Sequence, residues 1–253
     1  MGGFCSARLY LSVVIPTADR GCLISHTLES VFNQTLQPHE IILVDNGRVE
    51  IDLPVKDERL RIVRTAPRIG PGRARNIGAH VACGDLIAFL DDDDLWQFDY
   101  LEQVTSCFRE SSADAVLGRL MRKAQGSNAI SYKQFPSDIL GQRKVFFSNP
   151  GFGGQNLTIR RDVFLALSGF DETMPASEDR DLAARMLLSG KKLVSEPKAI
   201  AILCDHQGVR ARHSLLRGNW VFIKKHWRNM RAAELYLALK VLLKRYVLLF
   251  LGR

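Results

Sequence analysis

With 253 residues, 46% of them apolar and 25% charged, the chain can bury the core of one large globular domain, which excludes a disordered or low-complexity protein. Its net charge of +8 is uneven: from Arg210 to Arg253, Glu234 is the one acid among many Lys and Arg residues. That asymmetry points to an anionic partner, whether a phosphate-bearing substrate, a nucleic acid or an acidic membrane surface.

The first apolar run, Leu9 to Ile15, closes on Pro16-Thr17 as a strand would, and it is too short for a signal peptide. Met1-Gly2 with Ser6 matches a loose myristoylation pattern, read here as coincidence. Leu23, Ile24, Leu28, Val31 and Phe32 recur at helical spacing, so the first helix is predicted from about Gly21 to Asn33. Glu40 to Val44 and Leu60 to Arg64 read as the second and third strands, the former ending in the turn signal Asp45-Asn46-Gly47. Gly70-Pro-Gly-Arg-Ala-Arg-Asn76 leads into a helix through about Ala82, and Leu86 to Leu90 is a fourth, buried strand. This alternation predicts an α/β fold with a mostly parallel sheet.

A helix is predicted from Tyr100 to Arg109 and a strand from Ala115 to Met121, whereas Arg122 to Gly154 carries no regular pattern and ends in the loop Asn149-Pro-Gly-Phe-Gly-Gly154. Helices near Arg161 to Leu167 and Glu178 to Leu188, a strand from Ala199 to Cys204 and two C-terminal helices complete the chain. The cysteines (Cys5, Cys22, Cys83, Cys107 and Cys204) are odd in number and form no C-x-x-C pair. Reduced thiols in a cytoplasmic protein are therefore expected, with no disulfide frame or structural zinc.

The fourth strand delivers Asp91-Asp92-Asp93-Asp94 to what a parallel sheet makes its ligand-binding edge. Four carboxylates there repel one another and lose solvation, and a hard divalent cation such as Mg²⁺ or Mn²⁺ is the simplest compensation, with sites left open for phosphate. A solvated acidic turn is the plainer alternative.

Four segments, in this order, resemble the family 2 glycosyltransferases, whose fold is the Rossmann-like GT-A fold. They are Val13-Val-Ile-Pro-Thr17, then Ile42-Leu-Val-Asp-Asn46, then Ala74-Arg-Asn76 running to Phe89-Leu-Asp-Asp-Asp-Asp94. The fourth is Gly169-Phe-Asp-Glu172 followed by Ser177-Glu-Asp179 and Arg185. The resemblance covers about residues 10–215. It implies a metal-dependent, inverting transfer of a sugar from a nucleotide diphosphate sugar, a UDP-sugar by default, to a glycan or lipid-linked acceptor in cell-surface polysaccharide synthesis. Residues 9–95 are then expected to form the nucleotide-binding half and 96–215 the acceptor-binding half of one domain spanning 1–215, with 216–253 a basic amphipathic helical region.

By the same resemblance Pro16, Thr17, Asp45, Arg75, Asp91, Asp92 and Glu178 would contact the nucleotide and donor. Asp91-x-Asp93 would be the D-x-D motif, although Asp92 to Asp94 has the same form; Asp91 would touch ribose or metal-bound water, Asp93 would ligate Mn²⁺ or Mg²⁺, and Asp179 would be the general base. The residue chemistry agrees. Thr17 and Asp45 end neighbouring parallel strands, where base and ribose bind, although Asp45 could be a plain turn residue. Gly72 admits a close backbone approach, and Arg75 could face phosphate or solvent. Leu182, Met186 and nearby alanines form a buried stripe that leaves Glu178 and Asp179 at a helix start, where the dipole favours the carboxylate anion; capping by Ser177 is the structural alternative. His206, or else His213, would join the metal, and the basic loop between them could cover the diphosphate.

Two rival readings are a haloacid-dehalogenase-type Mg²⁺-dependent phosphotransferase and a non-catalytic sugar-nucleotide binding protein. The first expects D-x-D at the opening of the fold, and no stacking aromatics or zinc module support nucleic-acid binding. From Ala232 to Leu251 a helix carries Lys240, Lys244 and Arg245 in its middle, too charged to span a bilayer but suited to lie in a membrane interface, here the inner face of the cell membrane. It could instead pack on its own domain or on a second copy in a homodimer.

Overall fold

The computed structural model describes residues 9–53, 56–124, 129–134, 143–205 and 212–250. The chain begins with β1 (Leu11–Thr17), α1 (Gly21–Phe32), β2 (Glu40–Asp45), β3 (Leu60–Arg64), α2 (Pro71–Val81) and β4 (Leu86–Phe89). The four strands pair in parallel in the order β3-β2-β1-β4. β1 and β4 are buried at every position and β2 at all but its first, so the apolar runs reflect helices covering both faces. α2 opens on Pro71 at its first turn, after Gly70 at a φ of 88°, so the proline marks a helix start. The predicted elements of this half are borne out to within a residue or two.

The second half begins with β5 (Leu95–Trp96), α3 (Tyr100–Glu110), β6 (Ala115–Lys123), β7 (Ile130–Gln134), β8 (Leu157–Arg160) and α4 (Arg161–Ala166). Then come α5 (Glu178–Leu188), β9 (Leu193–Cys204), α6 (Arg212–His226) and α7 (Ala232–Phe250). The sheet continues past β4 as β8-β6-β9-β5, with β7 paired to β6. β8 runs antiparallel to both β4 and β6, while β6 and β9 are parallel.

Three strands lie outside the sequence expectation. β5 and β8 are too short for a periodic signal, and β7 falls in the segment without a pattern. β9 starts at Leu193, not Ala199, because its register against β6 shifts between Gly118 and Arg119. The shift accommodates Pro197, which breaks the strand pattern in the sequence.

Register sets up the site. Val14 lies opposite Phe89 and Thr17 opposite Asp45, so continuing the β1–β4 alignment brings Thr17 level with Asp92.

α5 is held to α6 by charge as well as by packing. Leu182, Ala183, Ala184 and Met186 are buried in one cluster with Phe222 of α6. The fully buried Asp181 accepts hydrogen bonds from His226 Nε2 at 2.7 Å and Arg185 Nε at 2.7 Å, and pairs with Lys225 Nζ at 2.9 Å. Burial acts to raise the Asp181 pKa, but the bond from His226 and then the charge of Arg185 outweigh it and hold the carboxyl below the usual range. A lowered folded-state pKa means that the stabilisation is fully present above the unfolded value of about 3.9 and is lost as pH falls below it, through the depressed folded value. Asp181→Asn is therefore expected to cost about 1–3 kcal/mol at neutral pH, since it removes the buried carboxylate on which His226, Arg185 and Lys225 converge. It should also flatten the decline in stability toward acid. Denaturant unfolding at pH 7 and at about pH 2 checks both, and a variant as stable as the parent at pH 7 would refute the clamp.

Candidate active site

The acidic run does not act as one block. Beyond Phe89, alternate side chains face opposite ways: Asp92 and Asp94 are only 6% and 4% exposed, while Asp91 and Asp93 are partly open. The buried pair is engaged within the fold. Asp92 Oδ2 accepts a hydrogen bond from Thr17 Oγ1 at 2.8 Å and Oδ1 one from Arg20 Nη1 at 3.0 Å. Asp94 Oδ1 accepts from the Cys204 amide at 3.0 Å, and Thr27 Oγ1 donates to the carbonyls of Asp92 and Asp94. Burial pushes the Asp92 carboxyl above its ordinary pKa despite Thr17 and Arg20, and burial followed by Asp94 lifts the Cys204 thiol to about 11. The open pair carries cations: Arg75 on Asp91, and Arg20 Nη1 at 2.5 Å from Asp93 Oδ2.

Arg75 joins the two acidic segments. Its guanidinium is buried and pairs with Asp91 at one end and with Glu178 Oε1, at 3.3 Å, at the other. It lies over the Phe170 ring at 5.4 Å, and a Cβ at Gly154 would stand 2.7 Å from its carbon, so glycine makes room for it there. Burial disfavours its charge, but Asp91 and then Glu178 more than offset this and hold it firmly protonated. Asn76, one residue on, clasps the backbone of Phe170 with both amide atoms at 2.8 Å. A Cβ on Gly169 would lie 2.4 Å from Asn76 Oδ1, and Gly169 has a φ of 63°, so glycine is required at this junction as well. Arg185 donates to the carbonyls of Leu167 and Gly169, tying the same junction to α5. The third and fourth sequence segments thus dock on each other.

Asp179 follows Glu178 in the first turn of α5 and is half-buried. Its Oδ1 accepts from the Arg180 amide at 2.6 Å, and Asn149 Nδ2 lies 3.4 Å from Oδ2. Ser177 makes no side-chain cap and adopts the left-handed region at φ 68°, so the capping alternative does not hold. The buried stripe of α5 also includes Arg180, whose Nε donates to the Val145 carbonyl and whose guanidinium lies over Phe222 at 3.8 Å.

Beside these carboxylates, at the ends of β1 and β2, is a cleft of about 430 Å³ lined by Asp19, Arg20, Asp45, Arg48, Asp52 and Arg68. Thr17 and Pro16 close β1 at its edge, with Thr17 turned to Asp92. The Asp45 carboxylate is buried and accepts from the amides of Gly47 and Ile51 and from Arg64 Nη1 at 2.5 Å. Gly72 packs beneath Glu178 and Phe170. His206 and the basic loop after it lie outside the described residues, and His213 is exposed on α6. Among the described residues no group of three or more His, Cys, Asp or Glu side chains is arranged to hold a metal. Asp91 and Asp93 nevertheless suit a hard divalent cation, which is commonly held by one or two carboxylates together with substrate phosphates. Arg20 and Arg180 were not legible as site residues, since a lone arginine after a strand or in a helix reads as solvated.

The sequence pattern of glycosyl transferase family 2 matches residues 12–167. The O-antigen chain rhamnosyltransferase RfbN of Salmonella typhimurium is 28% identical over 208 residues, which is 75% of this chain and 65% of that protein. An uncharacterized glycosyltransferase of Haemophilus influenzae is 24% identical over 70% of this chain and 62% of its own, so the match spans less than two thirds of either relative. Among solved structures, S. aureus TarS residues 1–349 in complex with UDP-GlcNAc superposes with a TM-score of 0.67 at 18% identity. That superposition covers 94% of this chain and 72% of the other, and the shared architecture is the expected GT-A fold.

Proposed function

Because the chain belongs to glycosyl transferase family 2, we propose that it moves a sugar from a nucleotide diphosphate sugar to a glycan or lipid-linked acceptor, with inversion, in polysaccharide synthesis. The observation that carries this reading is the bridge of Arg75 between Asp91 and Glu178, which ties the acidic strand end to the helix start that carries Asp179. Residues 9–95 act as the nucleotide half and 96–215 as the acceptor half. A UDP-sugar is the first donor to test, since TarS is seen with UDP-GlcNAc.

In this mechanism Asp93 would ligate Mn²⁺ or Mg²⁺, together with His206, and Asp91 would meet the donor's ribose or a water on the ion. That ion, when bound, supplies Lewis-acid neutralisation of the departing diphosphate. Asp179 accepts the proton of the acceptor hydroxyl as its oxygen attacks the anomeric carbon from the face opposite the diphosphate. The carbon–oxygen bond to the diphosphate then breaks, and its electron pair leaves on the phosphate oxygen. Asp92 and Thr17 keep the strand end in place, and Glu178 holds Arg75. The haloacid-dehalogenase alternative is set aside, because the acidic strand is the fourth of the chain, not the one that opens the fold, and the family is a glycosyltransferase one.

A nucleoside diphosphate that binds at about 100 times its Kd stabilises the fold by about 2.7 kcal/mol. UDP with Mn²⁺ is accordingly expected to raise the melting temperature, and EDTA to remove most of the rise. If no nucleoside diphosphate produced a shift with either ion, the donor site would have to be abandoned.

The C-terminal helix supports a second part of the reading, contact with the inner face of the cell membrane, where a lipid-linked acceptor would be met. No helix among the described residues is long and apolar enough to cross a membrane. α7 buries Glu234 and Ala238 toward the domain, and Glu234 pairs with Arg143 at 2.7 Å. Away from that side Tyr236, Leu239, Leu243, Tyr246 and Val247 are exposed among Lys240 and Lys244, with Trp220 and Trp227 exposed on the preceding segment. This mixture of exposed aromatic, aliphatic and basic residues fits an interfacial helix. Replacing Lys240, Lys244 and Arg245 by Gln should weaken binding to anionic liposomes in flotation about 100-fold, at about 1 kcal/mol per basic residue. Unchanged flotation would turn the exposed face toward a second copy of the chain.

A further inference from the structure

Arg20 differs in kind from the other cation at the acidic strand end. Arg75 is locked: its side chain is 6% exposed and it is wedged against Gly154. Arg20 is 48% exposed, stands at the start of α1 and lines the cleft. One of its guanidinium nitrogens bridges two carboxylates, at 3.0 Å from Asp92 Oδ1 and 2.5 Å from Asp93 Oδ2. Its backbone is fixed, since its carbonyl accepts the first helical bonds from Leu23 and Ile24. Movement would therefore be confined to the side chain.

We propose that Arg20 is a displaceable counter-ion, holding the place of the divalent cation on Asp93 and transferring to the donor's diphosphate when cation and donor enter together. The inference rests on the proposed cation and donor site. A guanidinium and a divalent cation repel each other and compete for the same Asp93 oxygen, so a cation alone meets a site that is already neutralised. A diphosphate changes the balance, because it brings negative charge for both cations and suits the planar guanidinium fork. Asp92 stays anchored after the exchange through Thr17 Oγ1. Cation and nucleotide should thus bind with strong positive cooperativity, and Arg20 should be its source.

Calorimetry with Mn²⁺ alone, and with UDP at saturating Mn²⁺, tests this on the parent, Arg20→Gln and Arg20→Lys. In Arg20→Gln the affinity of the free protein for Mn²⁺ should rise about 10-fold, a usual scale for groups next to a metal ligand. Its affinity for UDP at saturating Mn²⁺ should fall about 10-fold, as expected for the loss of one charge-assisted contact. Arg20→Lys preserves the charge that supports folding but not the fork, and it should shift both affinities the same way by less. Mn²⁺ binding no tighter in either variant overturns the counter-ion role. Asp93→Asn separates that failure from a deeper one: if Mn²⁺-dependent UDP binding survives that substitution, the cation site and the counter-ion proposal fall together.

Discussion

Asp93→Asn is expected to reduce sugar transfer by about 10³-fold or more, the equivalent of the several kcal/mol that a bound cation contributes to a developing charge. Nucleotide diphosphate binding in Mn²⁺ should weaken with it, while binding without the ion should change little. The substitution keeps size and shape at a partly exposed position, so the fold should melt near the parent's temperature. Asp92→Asn provides the contrast. Asp92 is buried between Thr17 and Arg20, and altering a buried, hydrogen-bonded carboxylate should lower stability by about 1–3 kcal/mol. Any loss of activity there should follow the loss of folded protein. Single-turnover assays with and without EDTA, alongside thermal melts, separate the two behaviours. Full activity of the parent in EDTA would remove the cation from the mechanism.

The contrast between neighbouring aspartates also marks where the sequence stops being informative. The apolar runs of β1, β2 and β4 are legible because helices cover both faces of the sheet, and an apolar strand ending in acids has few other uses. The parity of the acidic run is not legible. Which pair turns outward depends on Thr17 coming level with Asp92, a matter of register between strands far apart in sequence. The same holds for Asp181, which lies between exposed-looking charges at a helix start and is nevertheless fully buried on His226 of α6. His226 and Lys225 lie more than forty positions away, and the local partner, Arg185 at i+4, makes a pair that an exposed helix face carries just as often. Short strands escape for another reason: β8 stands in the middle of the sheet, yet four residues cannot show a period.

The motif segments turn out to hold one another as much as a ligand. Asn76 clasps Phe170, Arg185 reaches the carbonyls of Leu167 and Gly169, and Arg75 ties Asp91 to Glu178. These contacts fix the distance between the acidic strand end and the start of α5, to which a displacement reaction is sensitive. Residues that read as separate signals in the chain are parts of a single frame joining the acidic strand end to the start of α5.

Asp179→Asn tests the chemistry that the frame serves. If Asp179 receives the acceptor's proton, the amide cannot replace it, and transfer should fall by about 10²–10⁴-fold, the usual contribution of a general base. Donor affinity should hold, because the cation-binding carboxylates and Arg75 are untouched. Glu178→Gln is expected to behave differently. Glu178 pairs with the buried Arg75, so its neutralisation loosens the bridge to Asp91, weakens donor binding and lowers stability together. Asn149→Ala, which removes the amide beside Asp179 Oδ2, should have a smaller effect on transfer with donor affinity unchanged. The decisive pattern is a large fall in kcat for Asp179→Asn with the donor Kd preserved. Normal turnover in that variant would move the base to another carboxylate at the helix start, Glu178 first, and the role of Arg75 would then change from frame to neighbour of the reacting proton.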